Sequence, residues 1–317
     1  MNAPTLSIVI PTHDTRELTL RCLSSLPAGG VDPVEVVVVD DASSDGTADA
    51  VRAGHPGAIV VGTGGRLGFG GAANLGAERT GGDVVLFLNS DTEVIEGTLA
   101  ALVAAFADDP GLGVGGGELL DPGGEPQWRA GRRPTPAWLF LQASGLGSAV
   151  ARAPGRRLAG VPGRARVGDV DWVSGAAMAV RRDVWSDCGP FDTGYEFYCQ
   201  DLDLCTTVRD SGRRVVVVPG FTVLHHHGAS ITSAPGAVPG FHPARMWADL
   251  VRFAAKHDGA AAARRAAWAL RLGARVRLLG RAVGGLFAGD RRAWRRDTAA
   301  YRAGLDALRE VPSSLAE

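Results

Sequence analysis

The sequence predicts an α/β fold: a mostly parallel central sheet flanked by helices, followed by a helical, basic C-terminal extension. Three observations predict it. Short runs rich in β-branched and apolar residues, at 6–10, 34–39, 58–61 and 84–88, alternate with segments of helical spacing. Such alternation means parallel strands joined by crossover helices. The first, second and fourth runs end in polar clusters, at 11–14, 40–45 and 89–91. From Pro243 onward the pattern is helical, and residues 256–317 hold 13 Lys+Arg against 6 Asp+Glu, a net of +7.

Each element has its own reason. Leu6–Ile10 is a buried strand stopped by Pro11, and Glu17–Leu26 spaces Leu18, Cys22, Leu23 and Leu26 as a helix does. Val34–Val39 is a second strand, ended by Asp40 and Asp41; Asp45–Arg52 is a helix and Ala58–Val61 a third strand. Ala72–Arg79 is helical, Val84–Leu88 is a fourth strand ended by Asn89-Ser90-Asp91, and Thr98–Phe106 is helical. In such sheets the ligand sits at the carboxyl ends of the strands, so the three polar clusters should share one crevice. Residues 121–168 are rich in Gly, Pro and Arg and read as a long loop with a short helix around Ala137–Leu146. A loop of that length in a compact domain is usually functional or mobile. Val170–Val180 and Arg214–Val218 read as further strands.

Composition sets the bounds. The 317 residues are 45% apolar and 21% charged, enough for a sizeable core and unlike disordered, collagenous or coiled-coil chains. The net charge of −1 puts −8 on residues 1–255, which argues against a nucleic-acid coat. Cys22, Cys188, Cys199 and Cys205 form no CxxC pair and no disulfide framework, as in a reducing compartment. No basic segment followed by a long apolar run opens the sequence, so no secretory leader is expected. The apolar stretch Ala137–Val150 is broken by Gln142, Ser144 and two glycines and falls short of the roughly 20 apolar residues of a span. A cytoplasmic, soluble or peripheral protein is the expectation.

The chemistry-bearing motifs are ambiguous one by one. Asp40-Asp41 suits a helix-start turn or an acceptor for a nucleobase N–H. Asp91 suits a turn or a hard divalent cation. The glycine loop 62–71 could be misread as a dinucleotide fingerprint, but that belongs on the first strand–helix turn, and this loop follows the third strand. Its backbone N–H groups can still approach phosphate. Asp201 and Asp203, after the aromatic Tyr195, Phe197 and Tyr198, are a helix-start acidic pair or a base for a hydroxyl. His225-His226-His227 point alternately, so at most two meet one ion; a polar loop is the plainer explanation.

Their order is less ambiguous. PTHD at 11–14, VVVVDDASSDGT at 36–47, GFGGAANLGA at 68–77, FLNSD at 87–91, DWVSGAAMAVRR at 171–182, GPFD at 189–192, FYCQDLDL at 197–204 and VLHHHGAS at 223–230 follow one another. Over about residues 5–257 the chain resembles the inverting family 2 glycosyltransferases of GT-A fold, most closely those of rhamnosyltransferase type. The resemblance implies a catalytic domain over 1–255, with a nucleotide-sugar half at about 1–118 and an acceptor half at about 165–255, and a helical extension over 256–317. It implies that Pro11, Thr12, Asp14 and Asp41 line the nucleotide pocket, Asp41 facing the base, with Asn74 nearby. Asn89, Ser90 and Asp91 stand at the family's DxD, Asp91 as ligand of Mg2+ or Mn2+ and His225 approaching the same metal. Trp172, Gly175, Ala176, Gln200 and Asp203 border the sugar and acceptor, and Asp201 is the base. The implied partners are a dTDP- or UDP-sugar and a glycan or polyprenyl-linked acceptor of cell-surface polysaccharide.

Three departures from the family pattern stand out: Asn89 at the first DxD position, Gln200 before the base, and Thr207 for the usual Arg, with Arg209 near enough to substitute. They support the alternative of a catalytically impaired nucleotide-sugar-binding homologue; Asp91, Asp201 and the histidine speak against it. A sugar nucleotidyltransferase would want a Gly-rich, basic first loop, which Pro11–Asp14 is not. In the tail, Trp268, Leu272, Val276, Leu279, Val283 and Leu286 fall at helical spacing while Arg271, Arg277 and Arg281 fall away. That stripe packs on the catalytic domain or lies on anionic lipid at the inner face of the plasma membrane.

Overall fold

A computed structural model of the chain describes residues 3–147, 168–196, 198–226, 243–284 and 291–314. Their packing forms two compact units, Met1–Arg132 with Pro162–Thr193 and Gln200–Gly240, and Arg133–Val161 with Gly194–Cys199 and Phe241–Glu317.

The first unit is built on one sheet. Its strands are β1 (Leu6–Thr12), β2 (Glu35–Asp40), β3 (Ile59–Gly62), β4 (Val84–Leu88), β5 (Thr92–Val94), β6 (Leu112–Leu120), β8 (Gly168–Asp169), β10 (Ala177–Arg181) and β11 (Arg214–His225). The order is β3-β2-β1-β4-β10-β6-β11-β5, with β8 also on β11. From β3 to β4 every pairing is parallel, Ile8 lying beside Val36 and Leu86. This half bears out the alternation of runs and helices: α1 (Arg16–Ser25), α2 (Thr47–Gly54), α3 (Gly68–Ala77) and α4 (Thr98–Asp108) make the crossovers. Parallel residue pairs predominate, as expected, and antiparallel ones enter only beyond β4. β10 runs antiparallel to both β4 and β6, while β6 and β11 are parallel. Ile8, Val38, Leu86, Leu88, Leu99 and Phe106 are among the side chains fully buried here, each worth about 1.5–3 kcal/mol in removed apolar surface.

Two strands differ from the sequence reading. β6 is absent from it because LGVGGGELL has no β-branched run. The sheet nonetheless requires the glycine: a Cβ at Gly116 would lie 2.4 Å from the Val173 side chain. The single strand expected at 170–180 is two, β9 (Trp172–Val173) and β10, parted by the turn Ser174–Ala176. β9 pairs with β7 (Ala130–Gly131) in a small second sheet. Two further helices, α6 (Arg182–Cys188) and α7 (Gln200–Asp210), complete this unit.

The second unit is helical: α5 (Pro136–Ser144), α8 (Pro243–Gly284) and α9 (Arg291–Ser314). α8 breaks at Gly259, whose φ of 79° and ψ of 173° are non-helical. α5 and α8 come into backbone contact at Gly273, where a Cβ would meet the Phe140 carbonyl oxygen at 2.7 Å. Trp247 meets Tyr301 edge-on at 5.5 Å, and the Arg271 guanidinium donates to the Leu308 carbonyl. Buried Asp249 accepts from the Glu196 and Tyr198 N–H groups at 3.0 and 2.8 Å. The tail stripe faces outward: Trp268 and Leu279 are 65% and 70% exposed, whereas Ala263, Ala266, Ala267, Leu270 and Ala274 form the buried face. The side chains of Val283 and Leu286, with Phe197 and His227, lie outside the described residues.

Candidate active site

The strand ends converge as the polar clusters foretell. Thr12 ends β1 beside Asp40 at the end of β2, and the Asp41 N–H donates to the Thr12 carbonyl at 2.8 Å. Buried hydroxyls continue the network: Thr12 lies 2.8 Å from Thr15 and 2.7 Å from Thr19, and Thr15 lies 2.9 Å from Ser90 at the end of β4. Pro11 sits one residue back in β1, paired with Val39. Asp14 has a φ of 50°, in the left-handed region, and accepts from the Ser44 N–H at 2.6 Å. That hydrogen bond holds the Asp14 carboxyl below the usual carboxylate range, aided by the nearby His13 ring.

Asp41 is turned to the glycine loop. Its two oxygens accept from the Leu67 and Gly68 N–H groups at 2.7 and 2.9 Å, and from the Thr63 hydroxyl at 3.2 Å. The carboxylate caps the start of α3, which explains why α3 begins four residues earlier than its apolar spacing suggests. Asn74, on α3, is clamped to Phe191: its Nδ2 donates to the Phe191 carbonyl and its Oδ1 accepts the Phe191 N–H, both at 2.9 Å.

The second cluster joins β4, β5 and β11. Asp91 is buried, and its Oδ1 lies 3.4 Å from Nε2 of buried His225. β5 and β11 pair Thr92 with His225, and the His226 N–H donates to the Asp91 carbonyl at 2.9 Å. The His226 ring lies 2.7 Å from Glu93. Gln127, which the sequence reading passed over, lies 2.7 Å from Nδ1 of His225 and donates to the His225 carbonyl at 2.7 Å. Among the described residues no group of three or more His, Cys, Asp or Glu is placed to hold a metal ion. Asp91 and His225 are nevertheless an oxygen and an imidazole donor of the kind Mn2+ accepts, and two protein donors leave positions for a ligand's oxygens. The pair fits a divalent cation that substrate helps to hold.

The third cluster holds Asp201. It stands in the first turn of α7, where its two oxygens accept from the Gly175 N–H at 3.0 Å and its neighbour Leu202 N–H at 2.8 Å. Burial pushes its carboxyl above the ordinary value, and those two N–H donors oppose the rise. The next residue of the same turn, Ala176, accepts the Asn89 N–H at 3.0 Å through its carbonyl. One turn thus ties the acid on α7 to the Asn89-Ser90-Asp91 segment. Gln200 and Asp203 are buried beside Asp201 in α7. Trp172 donates to the Arg132 carbonyl at 3.3 Å and meets Trp128 edge-on at 5.0 Å. Arg209 is engaged elsewhere: it donates to the Val170 carbonyl at 2.8 Å and lies 3.3 Å from Asp171. Three non-glycine residues with left-handed φ among those described, Asp14, Ala42 and Cys199, all adjoin these clusters, the places where backbone strain tends to be kept.

With this geometry in view, comparison with known proteins is specific. The model of the family described as Glycosyl transferase family 2 matches residues 7–170. The chain is 30% identical over 247 residues to an N-acetylglucosaminyl-diphospho-decaprenol L-rhamnosyltransferase of Mycobacterium tuberculosis, covering 73% of this chain and 79% of that one. It is 26% identical over 236 residues to an O-antigen biosynthesis protein, RfbC, of Myxococcus xanthus, covering 72% of this chain and 18% of that one. Among solved structures, a mannosyltransferase of Pyrobaculum calidifontis in complex with GDP-Man and Mn2+ superposes with a TM-score of 0.58 at 20% identity, covering 100% of this chain and 89% of that one. GalNAc-T7 with UDP, GalNAc and Mn2+ superposes at 0.53 and 18% identity, covering 71% and 44%. These structural likenesses place the fold among the GT-A glycosyltransferases.

Proposed function

The chain belongs to glycosyltransferase family 2, and from that membership we propose that it transfers rhamnose from a dTDP- or UDP-sugar to a hydroxyl of a glycan or polyprenyl-linked acceptor, with inversion, in the making of cell-surface polysaccharide. The observation that carries this is the placement of Asp201. It is a partly exposed acid whose pKa is raised by burial and whose oxygens are aimed by two backbone N–H groups. A base must be ionised to act and basic enough to take a hydroxyl proton, and the raised pKa moves Asp201 toward that compromise. As the acceptor oxygen bonds to the anomeric carbon, its proton passes to Asp201, and the bond to the diphosphate oxygen breaks with its electron pair. Attack opposite the leaving group inverts the centre. Asp91 and His225 would hold Mg2+ or Mn2+, which supplies positive charge against the departing diphosphate. The rhamnosyltransferase relative supports the choice of sugar and of a lipid-linked acceptor. Asn89 serves through its backbone N–H, so its missing carboxylate leaves the turn at Ala176 intact. The test is product analysis by mass spectrometry and anomeric NMR with dTDP-rhamnose and a polyprenyl-diphosphate sugar. Asp201→Asn should lose transfer while binding dTDP or UDP as tightly; full transfer by that variant would sink the assignment.

We infer further that α8 meets anionic lipid at the inner face of the membrane. Trp268, Leu272, Val276 and Leu279 form an exposed stripe, with exposed Arg264, Arg265 and Arg275 beside it. Between Asp258 and Asp290 the sequence has six arginines and no acidic residue. No helix among the described residues is long and apolar enough to cross a membrane. An apolar stripe edged by cations suits the headgroup boundary, where each basic residue adds about 1 kcal/mol. Co-sedimentation should show binding to phosphatidylglycerol vesicles and little to phosphatidylcholine. Trp268→Asp should weaken it with soluble-acceptor activity kept, and equal binding by that variant would refute the face.

A further inference from the structure

We propose that Gln127 is a positioning residue that fixes the tautomer and aim of His225. Hydrogen-bond polarity alone fixes the assignment. The Gln127 Nε2 donates to the His225 carbonyl oxygen at 2.7 Å, an atom that only accepts. The amide cannot therefore be flipped, and its Oε1, which also only accepts, is the atom 2.7 Å from His225 Nδ1. Nδ1 must carry the hydrogen. In the neutral ring the other nitrogen, Nε2, then presents a lone pair, and it is Nε2 that lies 3.4 Å from Asp91 Oδ1. The opposite tautomer would turn an N–H toward the carboxylate and could not ligate a cation. A residue that fixes a histidine's tautomer from its far nitrogen typically governs metal affinity about 10–100-fold.

Gln127 is itself held. Its N–H donates to the Leu119 carbonyl at 2.8 Å, which lays the segment 126–129 along the end of β6. Two residues on, the Arg129 carbonyl accepts the Ser174 N–H at 2.7 Å, in the turn whose Gly175 N–H holds Asp201. The Arg129 side chain is buried against Glu118 at 2.9 Å. One short segment therefore supports His225 at one end and the turn under Asp201 at the other.

This rests on Asp91 and His225 as the holders of the cation, so the experiment separates the two claims. Mn2+, alone and then with UDP or dTDP present, is titrated into the full chain by calorimetry and by loss of its free-ion EPR signal, for wild type, Asp91→Ala, Gln127→Leu and Gln127→Glu. The His225 ring of the metal-free wild type is read by 15N NMR at mildly alkaline pH, assigned with His225→Gln. The expected results are an Nδ1–H ring in wild type, Mn2+ affinity about 10–100-fold weaker in Gln127→Leu, and a smaller loss in Gln127→Glu, which keeps the acceptor for Nδ1–H but sets an oxygen against the His225 carbonyl. Undiminished Mn2+ binding in Asp91→Ala, or none in wild type even with UDP or dTDP present, defeats the cation assignment. Binding lost in Asp91→Ala but unchanged in Gln127→Leu, or an Nε2–H ring in wild type, overturns the role of Gln127. The wild-type ring measurement holds even if a variant fails to fold.

Discussion

Asn74→Ala separates two roles for one residue. The family resemblance puts Asn74 near the nucleotide, whereas the structure spends both ends of its amide on the Phe191 backbone, at 2.9 Å each. Phe191 is 1% exposed, so truncation leaves a buried N–H and a buried carbonyl without that partner. Each such group costs about 1–3 kcal/mol. Asn74 is itself half-buried and water can reach part of the gap, so the lower half of the summed range applies, about 2–4 kcal/mol. The assay is hydrogen exchange of a peptide spanning Phe191, whose amide is the one released. At about 1.4 kcal/mol per tenfold, its exchange should quicken about 30- to 700-fold. Asn74→Asp keeps an acceptor for the N–H but sets an oxygen against the carbonyl, and should rescue little. Turnover should fall modestly in both, because Phe191 packs on Phe69 with ring centres 5.6 Å apart, and a Cβ at Gly175 would meet Phe69 at 3.3 Å. Unchanged exchange together with weakened nucleotide binding would refute the clamp and restore the nucleotide contact.

Other outcomes follow from the same geometry. Because burial raises the Asp201 pKa and the base works ionised, the acid limb of kcat/KM should lie above the ordinary carboxylate value of about 3.9; a limb at or below it, with chemistry rate-limiting, counts against Asp201. Asp14 is shifted the other way, so its contribution to stability is complete above its unfolded pKa and is lost as pH falls through the depressed folded value. Urea unfolding followed into that acidic range should show a smaller pH dependence for Asp14→Asn than for wild type. Gly116→Ala would set a methyl 2.4 Å from Val173 and should cost about 1–3 kcal/mol in denaturant midpoint, partly relieved by Val173→Ala; no change would mean that β6 and β9 can part freely.

What could be read beforehand depended on the range of each interaction. β1, β2 and β4 announce themselves because LSIVIPT, EVVVVD and VVLFL are buried nearly throughout and need no partner to be recognised. β6 hides because its glycines are demanded by distant neighbours, Gly116 by Val173, 57 positions away in sequence. The start of α3 is set by Asp41, 27 residues back from Gly68, and no local cap signals it. Asp201 and His225 were legible as motif members, but Gln127 was not: its partner His225 is 98 residues on. An unremarkable glutamine in a Gly- and Pro-rich stretch gives periodicity nothing to find. Asp249 is the same case, receiving its backbone donors across 53 and 51 residues.

The hydroxyl chain from Thr19 through Thr12 and Thr15 to Ser90 has a consequence for the conditions under which the strand ends keep their spacing. None of its members ionises in the working range, and each hydroxyl can turn to donate or accept. The separation of β1 and β4 is therefore indifferent to protons and to ionic strength, unlike the Asp14 bridge beside it. Acid or salt that loosens the rim of the crevice would leave its floor at the same width, so a crevice opened by such treatment should close again on its original dimensions.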